Sequence, residues 1–353
     1  MWSDIATGYG LFILEILTIL LVIAGIAFMI VTLKQHKAKS TGELVVVDLS
    51  EEYQENSKRL REFSLSEETR KQLEKTQKKA DKEKAKREKE KRKKGEDIAD
   101  EHKPRLYVLQ FKGDIAASAT SALREEVSTI IGVAKPEDEV LVRLESPGGM
   151  VHGYGLAASQ LLRLKQHGIK LTVAVDKVAA SGGYMMACVA DTIVAALFAI
   201  LGSVGVVAQI PNIHRLLKKH DVDVDVMTAG EYKRTMTVLG ENTEKGKQKF
   251  QQELEETHQL FKQFVTQNRP QVNIEEIATG EHWFGQQALG LHLVDAISTS
   301  DDLILNAIKE NKTVLSVKYH VKQSFLQKVG KQAEESTDAF LLRWLRRNNS
   351  TLL

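Results

Sequence analysis

Hydrophobic and polar positions change their period several times along this chain, and each change predicts an element. Residues 9–33 are apolar apart from Glu15, Thr18 and Thr32, a run long enough to cross a bilayer as a helix. From residue 104 onward, short apolar runs alternate with stretches of helical spacing. Residues 106–111, 139–144 and 170–175 read as strands, and residues 115–134 and 155–166 as helices. Strands alternating with helices imply an α/β architecture. Residues 222–226 alternate with period two, which predicts a strand with one face buried. A long amphipathic helix is expected over residues 243–268, with Phe250, Leu254, Leu260, Phe261 and Phe264 as its apolar contacts. A helix near 301–310 and a strand over 314–319 close the folded region.

Residues 192–210 form a second charge-free apolar run. Gly202, Ser203, Gly205 and Gln209 interrupt it, and Asp191 and Pro211 bound it. It is read as core strands joined by a tight turn, in preference to a second membrane span.

Composition divides the remainder. Residues 1–8 are a short N-terminal flank and residues 9–33 the expected transmembrane anchor. A cleaved signal peptide fits poorly: no basic residue precedes the run, and Lys34, Gln35, His36 and Lys37 follow it where small residues would be needed. Lys34, Lys37 and Lys39 on that side place the body of the protein in the cytoplasm by the positive-inside rule. Residues 34–103 read as a charged Lys/Glu-rich linker, solvated and without a heptad seam. No aromatic residues interleave the charges of its densest stretch, residues 78–89, which argues against a nucleic-acid partner. The folded domain spans residues 104–320, and residues 321–353 form a basic amphipathic tail suited to an anionic membrane surface or a neighbouring subunit. The single cysteine, Cys188, excludes a disulfide within the chain and any Cys-based metal cluster.

The strongest candidate for chemistry is Ser181, which follows an apolar run and stands before Gly182 and Gly183. A serine where a strand turns into a helix lies beside unpaired N–H groups that can stabilise a developing negative charge; the blander role is a helix N-cap. A nucleophilic serine needs a base. His152, His167, His214, His220, His282 and His292 are scattered and form no triad motif. A lysine serves instead when burial favours its neutral form. Lys177 and Lys233 both sit in turn-like positions between apolar segments, and spacing does not choose between them.

Three separated segments, residues 145–149 (ESPGG), 179–184 (AASGGY) and 202–206 (GSVGV), resemble the signal peptide peptidase A family of membrane-bound serine proteases. Residues 230–234, 285–288 and 293–295 extend the resemblance in the same order. The anchor, charged linker and one catalytic domain resemble the single-domain branch of that family. The resemblance implies a ClpP/crotonase-like α/β domain behind an N-terminal transmembrane helix, and a Ser–Lys dyad. On it, Ser181 is the nucleophile, Lys233 the general base and Ser203 the group that orients the lysine. Backbone N–H groups of Gly148 or Gly149 and of Gly182 would form the oxyanion hole, with no metal or cofactor. It further implies a homo-oligomer in the bacterial inner membrane that cleaves signal peptides or unfolded membrane and exported polypeptides. It places the catalytic domain outside the cytoplasm, against the flanking lysines, and that side is the expectation adopted. Met150, where many members carry a third glycine, alters the expected substrate groove. Residues 196–201 are more apolar than is usual in the family, and Leu291-His292 lacks the common glycine before Leu293-Val294-Asp295. Two other classes share parts of the pattern: a crotonase-like acyl-CoA enzyme and a non-catalytic membrane scaffold.

Overall fold

The computed structural model describes residues 42–63 and 103–320, with isolated positions within 16–20 and 65–83. The expected anchor, most of the charged linker and the basic tail lie outside the described residues. Among the described residues, no helix is long and apolar enough to cross a membrane. Residues 44–319 form one compact unit.

The chain enters through β1 (Glu43–Asp48) and α1 (Leu49–Phe63). It continues with β2 (Arg105–Lys112), α2 (Thr120–Val133), β3 (Glu139–Glu145), α3 (Val151–Gln166) and β4 (Lys170–Val175). The central part holds β5 (Val178–Ala180), α4 (Gly182–Ala187), β6 (Thr192–Ala195), β7 (Ile200–Gly202) and α5 (His214–Lys219). Then come α6 (Glu244–Asn268), α7 (Ile274–Ile277), β8 (His282–Phe284), α8 (Gly285–Gly290), β9 (Ala296–Ile297), α9 (Ser300–Lys309) and β10 (Thr313–His320). A seven-stranded sheet has the order β1-β10-β2-β3-β4-β6-β9, and a three-stranded sheet the order β5-β7-β8.

The strands from β10 through β9 pair in parallel, in a register that aligns Val108 with Leu141 and Val173 with Ile193. Parallel strands joined through helices are covered on both faces, so their sequences are apolar almost throughout. The structure divides these residues by the strand period of two. Leu109, Val142, Val173 and Ile193 enter the large core with Leu123 and Val127 of α2 and Leu161 and Leu164 of α3. Val108, Leu141, Ala174 and Val194 face the other way, into a smaller cluster with Ala307 and Ile304 of α9. Each fully buried branched side chain contributes about 1.5–3 kcal/mol.

The first part of the 192–210 run is core, as expected: β6 and β7 lie in it, and Ile193, Ala195, Leu201 and Val204 are fully buried, whereas Phe198 and Val207 are exposed. Helix α6 matches its expected span and is N-capped by Thr243, whose Oγ accepts from the Gly246 N–H at 3.1 Å. Three expectations need correction. Residues 222–226 form no strand; no strand of either sheet pairs with them, and Val222 and Val226 are 47% and 45% exposed. Helix α2 starts at Thr120 rather than 115, because Asp114 holds Ser118 by its N–H (2.8 Å) and its hydroxyl (2.5 Å), closing a turn there. And Glu43–Asp48, inside the stretch read as linker, is an edge strand; its run of three valines suits a pleated surface better than a solvated linker.

Candidate active site

Strand β5 passes directly into α4, and the residue between them is Ser181. Its backbone has φ 52° and ψ −119°, a conformation that side-chain-bearing residues adopt only when their surroundings hold them there. Two bonds do so. The Ser181 N–H donates to the Gly202 carbonyl at 2.8 Å, and the Ser181 carbonyl accepts from the Met185 N–H at 3.0 Å.

The segment after β3 is stitched alongside. Ser146 donates its N–H to Val178 at 2.8 Å and accepts the Ala180 N–H at 3.0 Å. This brings the Pro147-Gly148-Gly149 turn onto Ser181. Gly148 has φ +93°, and a Cβ there would lie 2.7 Å from the Ser181 Cβ and 2.8 Å from the Ala180 carbonyl oxygen, so only glycine fits. The backbone of Ile115 approaches Gly149 as closely, and Met150 donates its N–H to the Ile115 carbonyl at 2.8 Å. The Gly148 N–H is occupied, donating to Ser146 Oγ at 3.1 Å. The N–H groups of Gly149 and Gly182 find no acceptor among the described residues. Of the two alternatives expected to pair with Gly182, Gly149 is the one whose N–H has no acceptor among the described residues.

Ser203 follows β7 as Ser181 follows β5. The two strands pair in parallel with Ala180 opposite Gly202, so both serines leave the same end of the small sheet. Ser203 also has φ 52°, and its N–H donates to the Glu281 carbonyl at 2.6 Å.

Lys233 is not joined to them. It is exposed, in the sparsely structured segment 203–243, with its N–H donating to Gly230 at 3.2 Å and no hydrogen bond to Ser181 or Ser203. It lines an open cleft with Met227 and Val238. Lys177, the other candidate base, forms an exposed ion pair with Glu145 at 3.1 Å and no hydrogen bond to Ser181. None of the six singled-out histidines bonds to Ser181.

Helix α4 is anchored from below. The Tyr184 hydroxyl donates to the Leu293 carbonyl at 3.0 Å, and burial pushes its phenol far up. Arg269 binds both oxygens of Asp295 at 3.0 Å and the His292 carbonyl at 2.8 Å. Asp295 in turn accepts the Ile193 N–H at 2.7 Å. The Leu293-Val294-Asp295 motif is thus a clasp, and Arg269 is a partner that sequence reading did not identify, because it lies 26 residues away. Burial raises the Cys188 thiol to about 12, which keeps it protonated and unreactive. Among the described residues, no group of His, Cys, Asp and Glu is placed to hold a metal ion.

A serine at a strained strand-to-helix turn, faced by two glycines with free N–H groups, is the geometry of an α/β hydrolytic enzyme. The chain belongs to peptidase family S49: the family's N-terminal model matches residues 4–161, and the peptidase family S49 model matches residues 163–314. A "probable protease SohB" of Haemophilus influenzae is 69% identical over 98% of this chain and 97% of that protein. Another, of Buchnera aphidicola subsp. Schlechtendalia chinensis, is 49% identical over 86% of this chain and 99% of its own. Among solved structures, the 1510-N membrane protease specific for a stomatin homolog from Pyrococcus horikoshii aligns with 58% of this chain and 78% of its own, at 14% identity and a TM-score of 0.35.

Proposed function

We propose that this peptidase is a membrane-anchored serine endopeptidase acting through a Ser–Lys dyad and an acyl-enzyme on signal peptides or unfolded membrane and exported polypeptides. The observation that carries the reading is the strained Ser181 turn beside the free N–H groups of Gly149 and Gly182. Ser181 Oγ attacks the scissile carbonyl while Lys233 Nζ takes its proton. The two glycine N–H groups receive the oxyanion, an interaction worth about 3–4 kcal/mol per donor in comparable sites. Lys233 then returns the proton to the leaving amine, and water resolves the ester. The Ser203 hydroxyl orients the lysine. The domain is taken as ClpP/crotonase-like, with residues 9–33 holding it to the inner membrane on the extracytoplasmic side.

A lysine is a base only in its neutral form, which burial favours. Lys233 is exposed in the single chain, and Met227 in the same cleft is 90% exposed. A second copy of the chain covering segment 203–243 would bury both, so the active form is read as a homo-oligomer.

The test is peptide cleavage by the detergent-solubilised full-length protein, comparing wild type with Ser181→Ala and Lys233→Ala across a pH series. Both variants are expected to fold and to lose cleavage and labelling by a serine-reactive acylating probe. Full activity in Lys233→Ala would move the base to another residue, Lys177 first; full activity in Ser181→Ala would end the serine mechanism.

A further inference from the structure

Beneath the Ser181 turn lies a buried polar chain that the mechanism above does not use. Ser146 and Tyr154 are both 0% exposed. Ser146 Oγ lies 2.6 Å from Tyr154 Oη, and Tyr154 Oη lies 2.7 Å from the Asp114 carbonyl oxygen. A carbonyl oxygen only accepts, so the single phenolic proton of Tyr154 is donated to Asp114. The Ser146 hydroxyl must therefore donate to Tyr154 Oη. That leaves the lone pairs of Ser146 Oγ for the Gly148 N–H, which reaches it at 3.1 Å. The chain runs one way: Gly148 N–H to Ser146, Ser146 to Tyr154, Tyr154 to Asp114. Each donor in it is used once, and the Asp114 carbonyl also accepts the Ala117 N–H at 3.1 Å.

The same two residues border the other half of the site. A Cβ on Gly182 would lie 2.4 Å from the Tyr154 ring, and one on Gly183 would lie 2.5 Å from the Ser146 carbonyl oxygen. Tyr154 thus reaches the Gly148-Gly149 turn through Ser146 and Gly182 through its ring.

Resting on the reading of Ser181 as nucleophile, we propose that Tyr154, acting through Ser146, is a positioning residue that sets the two oxyanion donors relative to each other. By drawing the Gly148 N–H inward it orients the turn whose next N–H, that of Gly149, is free. By packing on Gly182 it fixes the second donor at the start of α4. Neither side chain touches substrate. Removing the Tyr154 hydroxyl deprives Ser146 of its acceptor and frees its proton to point elsewhere, so the Gly148 peptide loses its fixed orientation. The deficit falls on the transition state, where the oxyanion exists, and not on ground-state binding.

The experiment uses full-length solubilised protein: wild type, Tyr154→Phe, Ser146→Ala and Ser181→Ala. It measures kcat and KM per probe-titrated active site, and Ki for a peptide aldehyde of the same sequence, whose hemiacetal oxygen occupies the oxyanion position. Tyr154→Phe is expected to lower kcat by roughly 10- to 100-fold, less than the loss of a donor itself, with KM within about twofold. The aldehyde Ki should rise by the same factor. A purely structural role would lower the active fraction and leave Ki unchanged. Wild-type kcat and Ki in Tyr154→Phe, or a fall in kcat without a rise in Ki, overturns the proposal. If Tyr154→Phe does not fold, Ser146→Ala is judged by the same parallel change. Cleavage that survives in Ser181→Ala removes the nucleophile and the positioning role together, whereas an inactive Ser181→Ala with unaffected Tyr154→Phe and Ser146→Ala refutes only the latter.

Discussion

The N–H of Ser181 donates to the carbonyl of Gly202 at 2.8 Å, and this bond ties the end of one short strand to the residue before a second strained serine. Ser181 and Ser203 share φ 52° and sit beyond paired residues of β5 and β7. Strain at one position is therefore coupled to geometry at the other.

Gly202 is the sensitive point of that link. It has φ +93°, and a Cβ there would lie 2.6 Å from the Trp283 ring. Gly202→Ala must shift Trp283 or the β7 backbone, and with it the acceptor of the Ser181 N–H. Cleavage per folded protein should fall by about 100-fold or more, comparable to the loss of an oxyanion donor, with slower labelling of Ser181 by an acylating probe. Wild-type labelling would show that the link is dispensable.

Ser203 separates strain from chemistry. Ser203→Gly relieves the positive φ and should stabilise the domain by roughly 1 kcal/mol, while activity falls because the hydroxyl is gone. Ser203→Ala loses the same hydroxyl without the relief, so its activity should match and its stability should not rise. Thermal melts and kcat on both variants decide this; full activity in either would remove the hydroxyl from the mechanism.

The clasp at the base of α4 joins a buried guanidinium to a partly exposed carboxylate. Arg269 is 2% exposed and binds Asp295 through two bonds. Arg269→Ala leaves Asp295, 34% exposed, with the Ile193 N–H as a remaining donor, and should cost about 1.5–3 kcal/mol in urea unfolding. Arg269→Lys should recover little, since one ammonium cannot reproduce the paired geometry. A loss below about 1 kcal/mol would show that the clasp is solvated and weak.

Glu126 makes stability depend on pH. It is buried in α2, and that burial raises its carboxyl above the usual range, partly opposed by the Tyr319 N–H at 2.8 Å and by Lys318. A carboxyl with a raised folded pKa contributes most to stability below its ordinary unfolded value, and that contribution is lost as pH rises through the folded value. Glu126→Gln keeps an acceptor for Tyr319 and removes the buried charge. It should raise the melting temperature by a few degrees at pH 7, with the gain vanishing under acid conditions below the ordinary carboxylate range. A gain that persists undiminished in acid would place its origin in packing.

Much of this protein is determined by sequence alone, because the signals are local. The apolar runs at 106–111, 139–144 and 170–175 suit strands buried on both faces, and the spacing over 243–268 suits one helix. Ser181 before two glycines marks the strand-to-helix turn for the same reason: turn chemistry is written in adjacent residues. The tertiary structure decided what depends on distant neighbours. Residues 222–226 alternate like a strand yet have no partner strand, and Glu43–Asp48 sits in a charged context yet finds one at the sheet edge. Which of the Gly148 and Gly149 N–H groups is already taken depends on Ser146, which is held by Tyr154, itself bonded to the Asp114 carbonyl. Periodicity and turn propensity are properties of a few consecutive residues. Strand partners, clasps and the pairing of each backbone donor are settled only when segments tens to hundreds of residues apart compete for the same hydrogen bonds.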